Sequence, residues 1–479
     1  MPFLSCVFLN KGLQVIQENI YLCDRNGLTS LNATAMNITI IGAGTLGSHL
    51  ARYLSEEHLD IYIVDRDITK LSMLDSENNL MTVVGDAIDL NVLRQAKTGS
   101  CDLFIAVTEV AERNFVACGL AKSIGAKMTV ARVDRSDYLL PQNQEVVKRM
   151  GVDNVIFPEY LLSQSIIESL RHSWASSWYE FNKGEIVLLG VRLESEAPLA
   201  GKYLRELASI NRTFHVTAIR RAQTTLIPKG NHQLLPNDIL YIATTPTNLN
   251  DVAQLTGKTQ RNISRVVMAG GGSTTALTVT SAANEFDFTV IEGDMNNCQR
   301  LISQTHKCNV IHGEPTEIEA LVEAGTENAD AFVALTETAS ENVLTCLLAS
   351  DFGVMKTMAE VDRKQFVNMA ESFQIDTILN RQMLVANAVF QLLIDAGAAS
   401  AKCLALPDAE VVKLEIKADS RLNGAIVKDL KLPEELTFAG IIRNGKGMLV
   451  TGHTQLCSGD SVLVVCFAGA LHKARKIFK

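Results

Sequence analysis

The chain has 479 residues, enough for three or four domains, and its 47% hydrophobic and 20% charged residues are ordinary for a globular protein. Its formal net charge of −9 argues against a general nucleic-acid-binding protein, which usually presents a basic face. The ten cysteines contain no C-x-x-C spacing, and no apolar run reaches the ~18 residues of a membrane span, so zinc motifs and a membrane anchor are not expected.

Residues 1–35 form an extension before the first predicted strand. They lack the charged segment and the small-residue cleavage site of a signal peptide. Met36 stands directly before a strand of the kind that often opens a nucleotide-binding domain. We therefore expect Met36 to be the true start and residues 1–35 to be mis-assigned. A native chain that begins at Met1 in mass spectrometry would contradict this expectation.

Residues 36–155 are predicted to form an α/β domain. Short apolar segments alternate with helical segments and predict strands at 37–42, 61–65, 81–85, 103–107 and 128–133. Strands that alternate with helices form a parallel sheet with helices on both faces. The expected fold is a doubly wound, Rossmann-like domain.

The segment between the first strand and the first helix has the spacing Gly42-x-Gly44-x-x-Gly47. In a dinucleotide-binding loop the first glycine makes the turn, the second admits the pyrophosphate, and the third lets helix and strand pack closely. Asp65 ends the second strand, where a carboxylate binds the adenosine ribose and repels a 2′-phosphate. The alternative is a purely structural turn, but both flanks favour binding of NAD(H) over NADP(H).

Two more candidates lie at the carboxyl ends of predicted strands, where open α/β sheets bind ligands. Thr108 follows the fourth strand, and Arg132 lies in the fifth. Arg132 can face a phosphate or a neighbouring carboxylate. The alternative is a salt bridge with an acid such as Asp134.

Apolar residues recur at helical spacing between positions 162 and 178. They predict a helix in segment 156–183, which either packs on its own domain or crosses over to pair two large domains. Residues 184–248 then alternate apolar and polar positions between turn signals. This predicts a small α+β lobe that is mostly β.

The second half of the chain repeats the first. With a constant offset of 228, Gly42 falls on Gly270, and "LFIAVTEVAERN" falls on "AFVALTETASEN". In the small lobes, we match Ile219-Arg220 with Ile442-Arg443. The repeat predicts a second Rossmann-like domain, a second crossover helix and a second small lobe, at 262–378, 379–400 and 408–479.

The second glycine segment keeps part of the binding pattern. Gly270, Gly271 and Gly272 precede the predicted helix and Glu292 ends the next strand, but Thr275 replaces the third glycine. A side chain at this position is expected to push the helix away from the strand, so the pocket is either altered or weaker. Glu360 replaces Arg132, which inverts the charge at that position.

No catalytic constellation accompanies the two predicted sheets. His215, His232 and His453 have no matched acid or nucleophile and do not recur between the copies. The G-x-S-x-G, H-E-x-x-H and Walker lysine motifs are absent from the sequence. A dehydrogenase needs a proton donor or acceptor beside the nicotinamide. Binding without evident chemistry favours a sensor over an enzyme.

From Met36 to Lys479, the large-small-large-small order resembles the regulatory subunits of Trk-type potassium uptake systems, which pair TrkA-N and TrkA-C modules in RCK domains. The resemblance rests on "ITIIGAGTLGSHLARYL", "IYIVDRD", "VVGDAIDLNVLRQA", "DLFIAVTEVAERNFVAC" and "ARVDRSDYL". It implies a peripheral homotetramer on the cytoplasmic face of the inner membrane that gates a membrane-embedded potassium pore subunit. It implies NAD(H) as the ligand, and ATP or ADP as further ligands of the large domains.

The resemblance also implies a set of binding residues in each large domain. Glu112 and Asn114 match a family motif after Thr108, although Ala111 replaces its aspartate. In the first domain the implied binding residues are Gly42, Ala43, Gly44, Thr45, Leu46, Gly47, Asp65, Thr108, Glu109 and Arg132. In the second domain they are Gly270, Gly271, Gly272, Ser273, Thr274 and Glu292.

Two alternatives stay open at this point. An NAD-dependent oxidoreductase with an unrecognised substrate site would need a catalytic residue that the sequence does not reveal. A nucleotide-sensing module could instead serve a different transporter. Co-purification with a Trk-type pore subunit, with some other transporter or with nothing would distinguish this second alternative from the Trk-type regulatory subunit.

Overall fold

The computed structural model describes most of the chain, and the predicted extension at 1–35 lies outside the described residues. No helix in the described part is both long and apolar enough to cross a membrane. The described ranges are 36–55, 59–74, 80–207, 213–305, 307–395, 402–406, 408–467 and 469–478.

The first α/β domain contains a six-stranded parallel sheet in the order β3-β2-β1-β4-β5-β6. Its central strands are almost wholly buried because helices cover both faces. The strands are β1 Asn37–Ile41, β2 Asp60–Asp65, β3 Leu80–Val84, β4 Leu103–Ala106, β5 Met128–Arg132 and β6 Asn154–Ile156. The helices are α1 Thr45–Ser55, α2 Ile68–Ser72, α3 Leu90–Gln95, α4 Ala111–Ile124 and α5 Pro141–Arg149.

A helix and a small lobe follow. Helix α6 is Pro158–Arg171, and the lobe is a five-stranded antiparallel sheet in the order β10-β9-β11-β8-β7. Its elements are β7 Ser177–Phe181, β8 Ile186–Arg192, α7 Leu204–Leu207, β9 Phe214–Arg221, β10 Thr224–Leu226, β11 Ile239–Thr244 and α8 Leu249–Leu255.

The second α/β domain repeats the first, with the parallel order β14-β13-β12-β15-β16-β17. Its strands are β12 Arg265–Ala269, β13 Asp287–Glu292, β14 Cys308–His312, β15 Ala331–Ala334, β16 Lys356–Glu360 and β17 Thr377–Leu379. Its helices are α9 Ser273–Ala282, α10 Met295–Thr305, α11 Ile318–Glu323, α12 Ala339–Asp351 and α13 Lys364–Ser372.

Helix α14, Arg381–Asp395, leads to the second small lobe, whose antiparallel strand order is β18-β19-β22-β20-β21. A tight turn with Asn444 at φ +51° and Gly445 at φ +77° joins β20 to β21. The lobe consists of β18 Lys402–Leu406, β19 Ala409–Glu415, β20 Leu436–Arg443, β21 Lys446–Leu449, β22 Ser461–Phe467 and α15 Leu471–Phe478.

The predicted fold class is confirmed: each half has a Rossmann-like sheet followed by a small, mostly β lobe. Each parallel sheet gains a short sixth strand, β6 or β17, beyond the five that the sequence predicted. The predicted helix through Trp178 ends earlier, at Arg171, and Trp178 lies in β7. Its apolar spacing continues past the helix end because Trp174 and Trp178 pack in the core of the small lobe.

The helices that follow the α/β domains are exchanged between two compact units. One unit joins the chain up to Pro158 with the part of α14 that begins at Leu384. There, the rings of Tyr53 in α1 and Phe390 in α14 are 5.2 Å apart. The other unit contains α6 and the second α/β domain, where Nη2 of Arg171 lies 2.7 Å from Oε1 of Glu285. Each helix thus belongs with the α/β domain of the other half.

The two small lobes share an apolar core. Ile186 and Tyr241 of the first lobe pack there with Val411 and Leu463 of the second. Gly440 permits the close approach, because a Cβ on it would lie 2.7 Å from Cδ1 of Ile186. Both lobes lie within the same compact unit.

The match of Ile219-Arg220 with Ile442-Arg443 was wrong by one residue. Arg221, not Arg220, forms the paired bonds to Asp238 that Arg443 forms to Asp460, all at 2.7–2.8 Å. One residue moves a strand side chain to the other face of the sheet. Arg220 therefore points elsewhere, into a buried cluster with other partners.

Candidate functional site

The first glycine loop joins the buried end of β1 to α1. Gly42 has φ +99°, a conformation that residues with a Cβ rarely adopt. A Cβ on Gly47 would lie 1.8 Å from the carbonyl oxygen of Gly42, so a side chain there cannot fit without moving the helix. Gly44 differs, because no atom lies within 4 Å of the position of its absent Cβ. The loop is therefore tight at both ends and open in the middle.

The open middle of this loop lies at the N-terminus of α1. The first-turn amides of a helix have no partner within the helix, and they carry the positive end of its dipole. Thr45 and Leu46 begin this turn, and it contains no acidic side chain. This arrangement can bind an anion of phosphate type.

The carboxylate of Asp65 closes the other side of the loop. Oδ2 accepts a hydrogen bond from the Ala43 amide at 2.6 Å, and Oδ1 accepts one from the Asp67 amide at 2.9 Å. Asp65 ends β2, next to the glycine loop, because β1 and β2 are paired in parallel. The carboxylate is thus fixed beside the open space, where a ribose diol can donate to its remaining lone pairs.

Thr108 also borders the loop, since a Cβ on Gly42 would lie 3.2 Å from its amide nitrogen. The buried side chain of Asn114 holds this edge. Its Oδ1 accepts from the amide and the hydroxyl of Thr108 at 3.0 and 2.6 Å, and its Nδ2 donates to the carbonyls of Thr108 and Arg132. Asn114 therefore ties together the carboxyl ends of β4 and β5. Glu109 is exposed on the same loop.

The predicted site residues did not include a charged cluster on this edge. Asp86, which follows β3, pairs with Arg66 and with Nη2 of Arg113 at 2.5 Å. Arg66 follows β2 and Arg113 lies in the first turn of α4, so three separate segments meet here. The signal available in the sequence was the position of Arg66 and Asp86 just after strand ends.

The second glycine loop has a similar backbone. Gly270 has φ +99°, no atom approaches the absent Cβ of Gly272 within 4 Å, and Glu292 accepts from the Gly271 amide at 2.5 Å. Ser273 and Thr274 begin helix α9. The side chain of Thr275 is accommodated by a hydrogen bond from its hydroxyl to the Gly270 carbonyl at 2.5 Å.

Two of the histidines that the sequence left without partners, His215 and His232, lie beside polar groups of the fold. Burial lowers the pKa of His215 to about 4, and its Nε2 lies 3.3 Å from the Thr437 hydroxyl. His232 accepts from the Lys229 amide through Nδ1 at 3.1 Å. Within the described ranges, no three His, Cys, Asp or Glu side chains are grouped so that they could hold a metal ion.

Comparisons with known proteins identify the modules. The TrkA-N domain family matches residues 38–158 and 266–381, and the TrkA-C domain family matches 188–257 and 411–479. The Trk system potassium uptake protein TrkA of Halomonas elongata is 26% identical over 437 residues, which cover 90% of this chain and 95% of that protein. The TrkA homolog of Archaeoglobus fulgidus is 28% identical over 448 residues, covering 93% of this chain and all of that protein.

A solved structure supports the same fold. The GsuK channel bound to NAD matches with a TM-score of 0.56 at 16% identity, covering 99% of this chain and 84% of that chain. The tandem order of TrkA-N and TrkA-C domains is therefore found in sequence and in architecture. The chain belongs to the family of proteins that carry TrkA-N and TrkA-C domains in tandem.

Proposed function

We propose that this chain is the nucleotide-binding regulatory subunit of a Trk-type potassium uptake system, and that it senses NAD(H) through its first α/β domain. Membership of the TrkA family supports the role in potassium uptake. One observation supports the ligand above all others. The open space at Gly44 lies between the N-terminus of α1 and the fixed carboxylate of Asp65.

In this proposal the pyrophosphate lies over Gly44, Thr45 and Leu46, and the adenosine ribose bonds to Asp65. The edge that Asn114 holds, with Thr108 and Arg132, faces the remainder of the ligand. ATP and ADP share the adenosine and a chain of phosphates, so they compete with NAD(H) for the same features. Gly42, Ala43, Gly47 and Glu109 complete the proposed site of the first domain.

The proposed role is to bind and not to convert the nucleotide. A hydride-transfer enzyme needs a proton donor or acceptor beside the nicotinamide, and we propose no residue for that task. NADH added to the protein should therefore stay reduced. Its steady oxidation in the presence of an added metabolite would instead support the alternative of an NAD-dependent oxidoreductase.

Helix α1 offers a route from the ligand to the rest of the chain. Its N-terminus contributes the anion site, and its Tyr53 packs against Phe390 of α14, the helix that precedes the second lobe in the chain. A ligand shifts a conformational equilibrium only if it binds one state more tightly than the other. We propose that such a shift acts on a membrane-embedded pore subunit at the cytoplasmic face of the membrane, through a homotetramer of this chain.

The test is a titration of NADH into the purified chain, by calorimetry, with absorbance at the nicotinamide band followed in parallel. Asp65→Ala should weaken NADH by at least tenfold, because it removes the acceptor for the ribose diol. Glu145→Ala, an exposed change on α5, is the control. Flux of potassium through vesicles that contain a Trk pore subunit should then change with NADH for the wild type, and need more NADH for Asp65→Ala. Unchanged affinity of Asp65→Ala would remove this carboxylate from the site.

A further inference from the structure

The pockets of the two α/β domains differ systematically in charge. In the first domain, six positions at the carboxyl-terminal edge of the sheet carry a charged side chain. In the first domain they are Asp65, Arg66, Asp86, Glu109, Arg113 and Arg132. In the second domain the same positions are Glu292, Gly293, Glu314, Glu337, Glu341 and Glu360.

Hydrogen bonds establish four of these correspondences, and the constant offset of 228 gives the other two, Asp86 with Glu314 and Glu109 with Glu337. Asp65 accepts from the amide of Asp67, and Glu292 accepts from the amide of Asp294, which aligns Arg66 with Gly293. Asn342 repeats the bonds of Asn114, to Thr336 and to the carbonyl of Glu360, which aligns Arg113 with Glu341 and Arg132 with Glu360.

The first pocket combines three arginines with three acids, so these positions sum to zero charge. The second combines five acids with a glycine, so its positions sum to −5. A pyrophosphate is an anion, and in a site partly shielded from water each nearby carboxylate opposes its binding. Two helix N-termini of the same form therefore face different electrostatic surroundings, one neutral and one strongly negative.

The carboxylates of the second pocket are placed where a phosphate would need cations. Oε2 of Glu341 accepts from the hydroxyl of Thr336 at 3.1 Å, so this acid lies beside the residue that corresponds to Thr108. Glu360 binds Arg381 in a bidentate pair at 2.8 and 3.1 Å, and Arg381 also contacts Glu159 at 3.1 Å. The positive charge of Arg381 is thus already shared by two carboxylates.

We infer that the second pocket excludes ligands that contain a pyrophosphate, and that each chain binds one nucleotide, in its first α/β domain. Arg113 and Arg132 are the specificity-determining residues, because Glu341 and Glu360 replace them in the second domain. The inference rests on the proposed function and refines it. It departs from the sequence-based prediction that Gly270–Thr274 and Glu292 form a second binding site.

Gly44→Asp is the variant that separates the two pockets. The space at Gly44 is open, so an aspartate fits the fold while its carboxylate occupies the place of the pyrophosphate. NADH and, separately, ADP are titrated by calorimetry into the wild-type chain and into this variant. We expect one NADH per wild-type chain and none for Gly44→Asp.

Two NADH per wild-type chain, with one remaining in Gly44→Asp, would overturn the inference and leave the proposed function standing. One NADH per chain in both proteins would overturn the inference and also contradict the proposed binding through the first α/β domain. A wild-type chain that binds ADP but not NADH would refute NADH as the ligand. Binding of ADP that persists in Gly44→Asp would again overturn the inference. Absence of both ligands from the wild type would refute the proposed function while agreeing with exclusion at the second pocket.

A charge reversal tests the cause of the exclusion. Arg113→Glu combined with Arg132→Glu gives the first pocket the charges of the second, and NADH should then bind roughly 100-fold more weakly. Lys148→Glu combined with Arg149→Glu, on an exposed face of α5, is the matched reversal outside the pocket and should change the affinity less than twofold. Equal affinities in the two reversed proteins would overturn the assignment of Arg113 and Arg132.

Discussion

Lys356 makes the stability of the protein depend on pH in the alkaline range. The side chain is 2% exposed, and its Nζ donates to the carbonyl of Ala175 at 2.6 Å. Burial lowers its pKa from 10.5 to about 8, although the charge of Asp376 opposes that fall and the charge of Lys258 adds to it. Between these two values the unfolded chain binds a proton that the folded chain has released.

The magnitude follows from the pKa values. Stability rises with pH wherever the unfolded state binds more protons, so Lys356 contributes an increase between about pH 8 and pH 10.5. One pKa unit corresponds to about 1.4 kcal/mol, and the full increase is therefore about 3 kcal/mol. Lys356→Met approximately keeps the volume of the side chain and removes its titrating amine. It leaves the Ala175 carbonyl without this donor, a cost of about 1–3 kcal/mol that does not vary with pH.

Urea unfolding at pH 7, 8, 9 and 10 measures this effect. Trp174 and Trp178 are the two tryptophans of the chain and flank Ala175, so their fluorescence reports on the unfolding of this region. The free energy of unfolding of the wild type should rise relative to Lys356→Met as the pH increases, by about 2 kcal/mol between pH 8 and pH 10. A difference between the two proteins that stays constant across these pH values would refute the reasoning.

Three further changes test other parts of the structure. Gly47→Ala should lower the free energy of unfolding by about 3 kcal/mol, because its Cβ would lie 1.8 Å from the carbonyl oxygen of Gly42. Gly44→Ala, in open space, should lower it by less than about 1 kcal/mol. Thermal unfolding compares the two variants, and equal losses would contradict the tight packing at Gly47. Arg220→Met should lower the free energy of unfolding in urea by about 3 kcal/mol, because it leaves the carboxylate of Glu371 buried without Arg220. Arg220→Met with Glu371→Met should recover much of that loss. Additive losses in the double variant would contradict the account of a buried ion pair. Because the folded pKa of His215 is about 4, the free energy of unfolding should fall by up to about 3 kcal/mol as the pH falls from 6.5 to 4. His215→Gln should remove that dependence on pH. The same acid profile in both proteins would exclude His215 as its source.

Local features of the site could be predicted from the sequence, because they depend on neighbours in the chain. The glycine spacing and Asp65 occupy adjacent strand ends, and this adjacency follows from the parallel pairing of consecutive strands. The cluster of Arg66, Asp86 and Arg113 could not be predicted in this way. Its members come from three segments, and only the assembled sheet brings them to one carboxylate.

Two sequence interpretations failed for reasons of periodicity. Matching Arg220 with Arg443 used the similarity of two short strands, but a shift of one residue turns a strand side chain to the opposite face. The predicted helix through Trp178 used apolar spacing alone, and the core of the small lobe extended that spacing beyond Arg171. The effect expected of Thr275 also depended on a detail that the sequence does not contain, the hydrogen bond to Gly270.

The exchange of α6 and α14 between the compact units has a consequence for the origin of this polypeptide. Two identical chains that trade the same helix form a swapped dimer, and duplication with fusion of their genes would leave the exchange within one chain. Residues 36–258 and 262–478 produced as separate fragments would each lack a helix that the other supplies. Neither half should then be stable alone, while co-expression of both should restore the fold by complementation.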